Sequence, residues 1–187
     1  MIKIVFLDRD GVINKYPGDK NYVTIAKGFR FLPGVKNALK LLSDAGFMVF
    51  IVSNQAGVGK GVYTQRSLDE ITSKMIFELI RKGVNISGVY YCIHKPDDNC
   101  TCRKPNIGLI KKALHDFMIK NINLKKKYFI GDSQIDIKTA KKAGLKSILV
   151  LSGKEKMVNR ENWEVEPDYI AKDLFAAVKI VLKGKER

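Results

Sequence analysis

The chain has 187 residues, 45% of them hydrophobic and 28% charged, which excludes a disordered chain and suits one α/β domain with a full core. No apolar run approaches the ~20 residues needed to span a bilayer, and the start MIKIVFLD meets charge too early for a signal peptide, so a cytoplasmic protein is expected. The 34 basic and 19 acidic residues leave a net charge of +15, which favours an anionic partner, although the lysines are scattered over what read as outer helix faces.

IKIVFLD (2–8) is an apolar, β-branched run and predicts a buried strand. After a polar loop, PGVKNALKLLSDAG (33–46) predicts a helix with Pro near its start, apolar Val35, Leu39 and Leu42, and a stop at Gly46. FMVFIVS (47–53) is the second strand, and TQRSLDEITSKMIFELIRKG (64–83) a helix opening on Thr64 as N-cap. GVYYC (88–92) is a third strand that runs into a loop holding every cysteine. NIGLIKKALHDFMIKN (106–121) predicts a helix, with His115 structural on its flank, and KKK (125–127) a solvated loop. KYFIGD (127–132) is the fourth strand, IDIKTAKKAG (135–144) a helix closed by Gly144, and KSILVL (146–151) the fifth strand. A short strand near Tyr169 and a helix from Asp173 to Leu182 complete the chain.

Strands alternating with helices of this length predict a Rossmann-like parallel sheet with helices on both faces. No repeat or composition break divides it, so residues 1–187 read as one domain. In such sheets ligands sit beyond the carboxyl ends of the strands, here Asp8, Ser53, Cys92, Asp132 and Ser152.

FLDRDGVIN (6–14) ends a buried strand with Asp8 and Asp10. In an extended chain the two share one side and repel, which a hard cation such as Mg²⁺ relieves. GDSQID (131–136) puts Asp132 on the same rim, able to complete the cation site, while a helix cap explains one of Asp132 and Ser133. Asp136 is either an outer partner of that site or an acid favoured by the first helical turn. Ser53 and Asn54, with the glycine loop after them, suit a phosphate oxygen. Arg103 and Lys104 bring cations, and Pro105 biases Lys104 toward an extended backbone.

The cysteines cluster with a histidine in CIHKPDDNCTCRKP (92–105). Three cysteines cannot all pair with one another, and Cys beside His points to metal. Cys92-x-His94 and Cys100-x-Cys102 together supply a tetrahedral Cys₃His zinc shell. Their spacing is tighter than a zinc finger's, and Pro96, Asp97, Asp98 and Asn99 make the surroundings polar rather than those of core thiols.

Asp-x-Asp, then Ser, Lys and Gly-Asp at successive strand ends resembles the haloacid dehalogenase superfamily of phosphohydrolases. The resemblance implies that Asp8 attacks phosphorus to form an aspartyl-phosphate. Asp10 would then act as acid and base, and Ser53 and Lys104 would hold the transferring group. It places Mg²⁺ on Asp8, the Asp10 carbonyl and Asp132, with Asn54, Gln55 and Arg103 on substrate. FLPGV, SNQAGVGKG, the cysteine loop and IGDSQID make residues 2 to about 151 similar to the D-glycero-D-manno-heptose 1,7-bisphosphate phosphatases. These have no large cap domain and carry structural zinc in that loop, which implies a small phosphorylated sugar as partner; a monomer is expected. The family often has Lys where this chain has Ser133, and KYPGDKNYV (15–23) looks lengthened.

Three other readings compete. Histidinol phosphatases share the zinc loop. Polynucleotide 3′-phosphatases would suit the basic charge, but generally lack the loop. A non-catalytic zinc-containing nucleic-acid-binding protein predicts aromatics among the basic residues for base stacking. None lies between His94 and Pro105, and that reading leaves the aspartates unexplained.

Overall fold

Six strands form one parallel sheet in the order β3-β2-β1-β4-β5-β6 in a computed structural model that describes residues 2–120, 122–124 and 127–184. The elements are β1 (Ile4–Leu7), α1 (Val35–Asp44), β2 (Met48–Asn54), α2 (Gln65–Ile80), β3 (Gly88–Cys92), α3 (Gly108–Asp116), β4 (Tyr128–Gly131), α4 (Gln134–Ala143), β5 (Lys146–Val150), β6 (Tyr169–Ala171) and α5 (Leu174–Lys183). The chain steps from β1 out to β3, then returns to lay β4 against the other side of β1. The carboxyl ends of β1 and β4 therefore flank the topological switch point, where open α/β sheets bind ligands.

Period-two alternation divides the core between the two faces of the sheet. Val5 and Leu7 join Leu39, Leu42, Ile71, Met75 and Val178 beneath α1, α2 and α5. Ile4 and Phe6 join Phe50, Phe129, Ile110 and Ala113 beneath α3 and α4. Phe6 stacks on Phe50 at 5.4 Å and on Phe129 at 6.5 Å, a ladder of rings across β2, β1 and β4. Each ring takes roughly 1.5–3 kcal/mol of apolar surface from water, which stiffens the strands that end in the site.

Thr64 caps α2 as its hydroxyl predicts, accepting from the Ser67 N–H at 3.1 Å. The helix expected over 106–121 is shorter, and Asn121 lies outside the described residues. Met118 adopts a left-handed φ of 52°, and the N–H groups of Met118 and Ile119 turn back to His115 and Leu114, which closes α3. His115 is exposed beside Asp116 rather than structural. Of the expected solvated lysine loop, residues 125 and 126 lie outside the described residues, whereas Lys127 is buried because its main chain bridges Leu124 and Lys146 at the start of the β4–β5 ladder. Among the described residues no helix is long and apolar enough to cross a membrane.

Candidate active site

The site floor is built where β1 and β4 end side by side, the Asp8 N–H donating to the Ile130 carbonyl. Lys104, 3% exposed, reaches in between carboxylates, 3.0 Å from Asp8 Oδ1 and 2.6 Å from Asp136 Oδ1. Carboxylate oxygens of Asp8, Asp132 and Asp136 lie within 4.8 Å of one another. Asp132 is sandwiched between Gly11 and Gly153, where a Cβ on either would collide with its carboxylate. Gly11 also needs a φ of +79°, so glycine there serves both the turn and the close approach.

Burial pushes the Asp8 carboxyl up to about 6, with Lys104 pulling it down and Asp136 pushing it further. Burial also raises Asp132 well above the ordinary carboxylate range, with Asp136 and Asp8 adding to it. Burial alone would lower Lys104, but Asp136 and Asp8 outweigh it and hold the ammonium charged. When all three are ionised, the carboxylates beside this one ammonium carry a surplus of two negative charges, the complement of one divalent hard cation. Asp136 both caps α4 and holds Lys104. Its Oδ2 accepts from the Ser133 hydroxyl at 2.6 Å and the Ser133 N–H at 3.2 Å, capping α4, while its Oδ1 anchors Lys104.

Asp10 reaches the cleft differently from the extended geometry the spacing suggested. The chain turns directly after Asp8, with Ile13 and Asn14 N–H groups donating to the Arg9 carbonyl. The Asp10 carboxylate accepts from Arg9 Nη2 at 3.0 Å, Asn14 Nδ2 at 2.7 Å and Gln55 Nε2 at 2.8 Å. Arg9 is fully buried and lies over the Tyr91 ring at 5.6 Å. Gln55, expected at the substrate, does not line the cleft. Its Oε1 accepts from Arg9 and the Tyr63 hydroxyl, and its Nε2 donates to Asp10 and Ser53. Asn54 lines the cleft, yet its amide holds the Lys104 main chain, donating to the carbonyl at 3.1 Å and accepting from the N–H at 3.0 Å. Ser53 is buried and accepts from Gln55 Nε2 at 3.1 Å, and its hydroxyl helps to draw the Asp8 carboxyl down against burial. The sequence reading missed Arg9, Asn14 and Tyr63. A basic residue inside an otherwise apolar strand end was the available signal for Arg9.

The cysteine loop closes on itself. Cys102 Sγ lies 3.2 Å from Cys92 Sγ, 3.4 Å from Cys100 Sγ and 3.1 Å from His94 Nδ1. Cys92 is 3.5 Å from Cys100 and 3.6 Å from His94. All three cysteines are free, and the separations approach the edges of about 3.5–3.8 Å of a zinc-centred tetrahedron. The surroundings are two-sided rather than uniformly polar. Cys92 is buried in the α3-side core and His94 is exposed. The next two residues bring cations to the cleft: Lys104, and Arg103, whose Nη1 is buried and has no hydrogen-bond partner among the described residues.

Floor and loop open on a cleft of about 600 Å³. One wall is the 16–22 segment with Tyr16 and Tyr22, and the other is the β5–β6 connection with Lys154, Asn159, Asn162 and Trp163. That second wall is tied to the floor by the Lys154 N–H on Asp132 Oδ2 at 2.7 Å and the Glu155 N–H on the Asp132 carbonyl at 2.9 Å. Sequence reasoning missed it. Its only signal was the chain's single tryptophan in a polar stretch after a strand end.

A HAD-hydrolase-like family model matches residues 101–177. The chain is 38% identical, over 81% of its length and 85% of the relative's, to D-glycero-beta-D-manno-heptose-1,7-bisphosphate 7-phosphatase of Haemophilus ducreyi. It is 32% identical, over 96% and 97%, to D-glycero-alpha-D-manno-heptose-1,7-bisphosphate 7-phosphatase of Photorhabdus laumondii. The D,D-heptose 1,7-bisphosphate phosphatase of B. bronchiseptica, solved with magnesium and phosphate, superposes with a TM-score of 0.88 at 30% identity, covering 97% of this chain and 99% of that one.

Proposed function

The chain belongs to the D-glycero-D-manno-heptose-1,7-bisphosphate 7-phosphatase family of HAD-like phosphatases, and from that membership we propose that it hydrolyses the 7-phosphate of the heptose bisphosphate through an aspartyl-phosphate. The observation that carries the proposal is the convergence of Asp8, Asp132 and Asp136 at the sheet's switch point, with Lys104 paired to Asp8 and Asp136.

Asp8 attacks phosphorus, a new O–P bond forms, and the P–O bond to the sugar breaks. Asp10 gives the leaving oxygen its proton, then takes one from the water that attacks the phosphoryl-Asp8 and releases inorganic phosphate. The turn after β1 and the buried Arg9–Gln55 pair aim Asp10 at that task. Ser53 and Lys104 meet the phosphoryl oxygens, and the unpartnered Arg103 nitrogen offers the substrate a donor. Both oxygens of Asp136 are committed to Lys104 and Ser133, which supports Asp8, Asp132 and the Asp10 carbonyl as the groups that would hold Mg²⁺. When bound, the ion supplies positive charge against the phosphoryl oxygens. The Cys92, His94, Cys100 and Cys102 cluster would hold zinc as a clamp that fixes Arg103 and Lys104.

Rates on heptose 1,7-bisphosphate, histidinol phosphate and a 3′-phosphorylated oligonucleotide test the reading. We expect kcat/KM for the heptose bisphosphate to lead by about 100-fold or more, the discrimination expected of a site built to pair polar substrate groups. A lead for either competitor would replace the heptose assignment, and a lead for the oligonucleotide would give the +15 charge a function.

A further inference from the structure

The cations along the cleft differ in what holds them. Lys104 is fixed between Asp8 and Asp136, and Arg103 keeps an unpartnered nitrogen. Lys154 is bonded at both ends. Its main-chain N–H donates to Asp132 on the floor, and its ammonium lies 2.9 Å from Asp19 Oδ1 on the opposite loop. The Tyr16 hydroxyl donates to that same Asp19 oxygen at 2.6 Å. One carboxylate oxygen thus gathers a cation from one wall and a hydroxyl from the other.

This clasp is weak by construction. The Lys154 and Asp19 side chains are 46% and 71% exposed, and such pairs contribute little to stability. A phosphate presents Lys154 and Tyr16 with the same kind of acceptor, but with more charge and more oxygens, hence stronger charge-assisted bonds. Resting on the bisphosphatase reading, we infer that Asp19 is an internal placeholder for the phosphate that stays on the sugar. That phosphate displaces the Asp19 carboxylate from Lys154 and Tyr16. Because Lys154 is anchored by its main chain to Asp132, the retained phosphate is gripped in fixed register with the floor where the other is cleaved. Asp19 also sets a threshold: a monophosphate, having nothing to exchange for it, leaves the clasp closed.

The experiment compares kcat/KM for heptose 1,7-bisphosphate with that for heptose 7-phosphate in the wild type, Asp19→Asn, Lys154→Met and the double variant. Lys154→Met should lower the bisphosphate-to-monophosphate ratio about tenfold, the loss of one charge-assisted contact. Asp19→Asn should raise that ratio about two- to fivefold, chiefly through KM, as expected when a surface-pair competitor is removed. With Lys154 already gone, Asp19→Asn should add nothing. An equal drop on both substrates in Lys154→Met, or an unchanged ratio in Asp19→Asn, would overturn the placeholder. A wild-type ratio well above one with both variants inert rejects the placeholder alone. A wild-type ratio near one rejects the bisphosphatase reading and the placeholder with it.

Discussion

Two clusters of side chains able to hold a metal ion share one rim of the sheet, and they are assembled in opposite ways. Cys92, His94, Cys100 and Cys102 come from eleven consecutive residues and touch one another at 3.1–3.6 Å. Asp8, Asp132 and Asp136 come from the ends of β1 and β4 and from α4, and only the sheet brings them within 4.8 Å. The sulfur and nitrogen donors suit a soft or borderline ion in a closed shell. The oxygen cluster suits a hard ion that leaves positions open to substrate. On the proposed function, the local loop that satisfies itself would serve as a clamp. The long-range cluster, whose repelling groups the fold rather than a loop holds together, would serve the chemistry. Arg103 and Lys104, directly after Cys102, couple the two.

The sharpest way to break this division is Asp8→Asn. Removing the proposed nucleophile should cut kcat by at least about 10³-fold, while metal analysis should still find about one zinc per chain, as for a closed four-ligand site. Thermal stability should hold, since burial already disfavours the Asp8 charge. Turnover within tenfold of wild type would remove Asp8 from its role. Cys100→Ser should invert the pattern. Bound zinc should fall toward zero and the melting temperature by about 5–10 °C, the size expected when a structural metal site loses 2–3 kcal/mol. Activity should fall less than in Asp8→Asn, because Arg103 and Lys104 lose only their support. If zinc content and melting temperature were both unchanged, the cluster would not be a zinc clamp.

The same contrast explains what was legible in the sequence. β1, β2, β4 and β5 are short apolar runs with one period, so Asp8 and Asp132 stand out as charges where hydrophobicity stops. The cysteine loop was legible because its three cysteines and histidine are neighbours in the chain. Asp136 was ambiguous because an acid in a first helical turn signals a cap whether or not it also holds a buried lysine. The β5–β6 wall has neither periodicity nor a recognisable pattern of ligands. Only its hydrogen bonds to Asp132, which belong to tertiary structure, bring Lys154 to the cleft. The end of α3 was overrun because apolar residues continue past Asp116 while the backbone turns left-handed at Met118.

Gln55 gives the finest test, because sequence and structure assign its amide to different partners. As a substrate contact, its loss would raise KM and leave kcat alone, the mark of uniform binding. As found, the amide is buried between Asp10, Ser53, Arg9 and Tyr63, so on the proposed mechanism it would act through Asp10. Gln55→Met keeps the approximate volume but removes the donor to Asp10 and the acceptor for Arg9, whose Nη1 already lacks a partner. The variant should lose about 1–3 kcal/mol of stability from unsatisfied buried groups. Its kcat should fall about tenfold with KM nearly constant, because a displaced acid–base group weakens only the transition state. A KM effect with intact kcat would return Gln55 to the substrate. It would also leave Arg9 and Asn14 as the side-chain donors that position Asp10, joining the reactive floor more closely to its own loop.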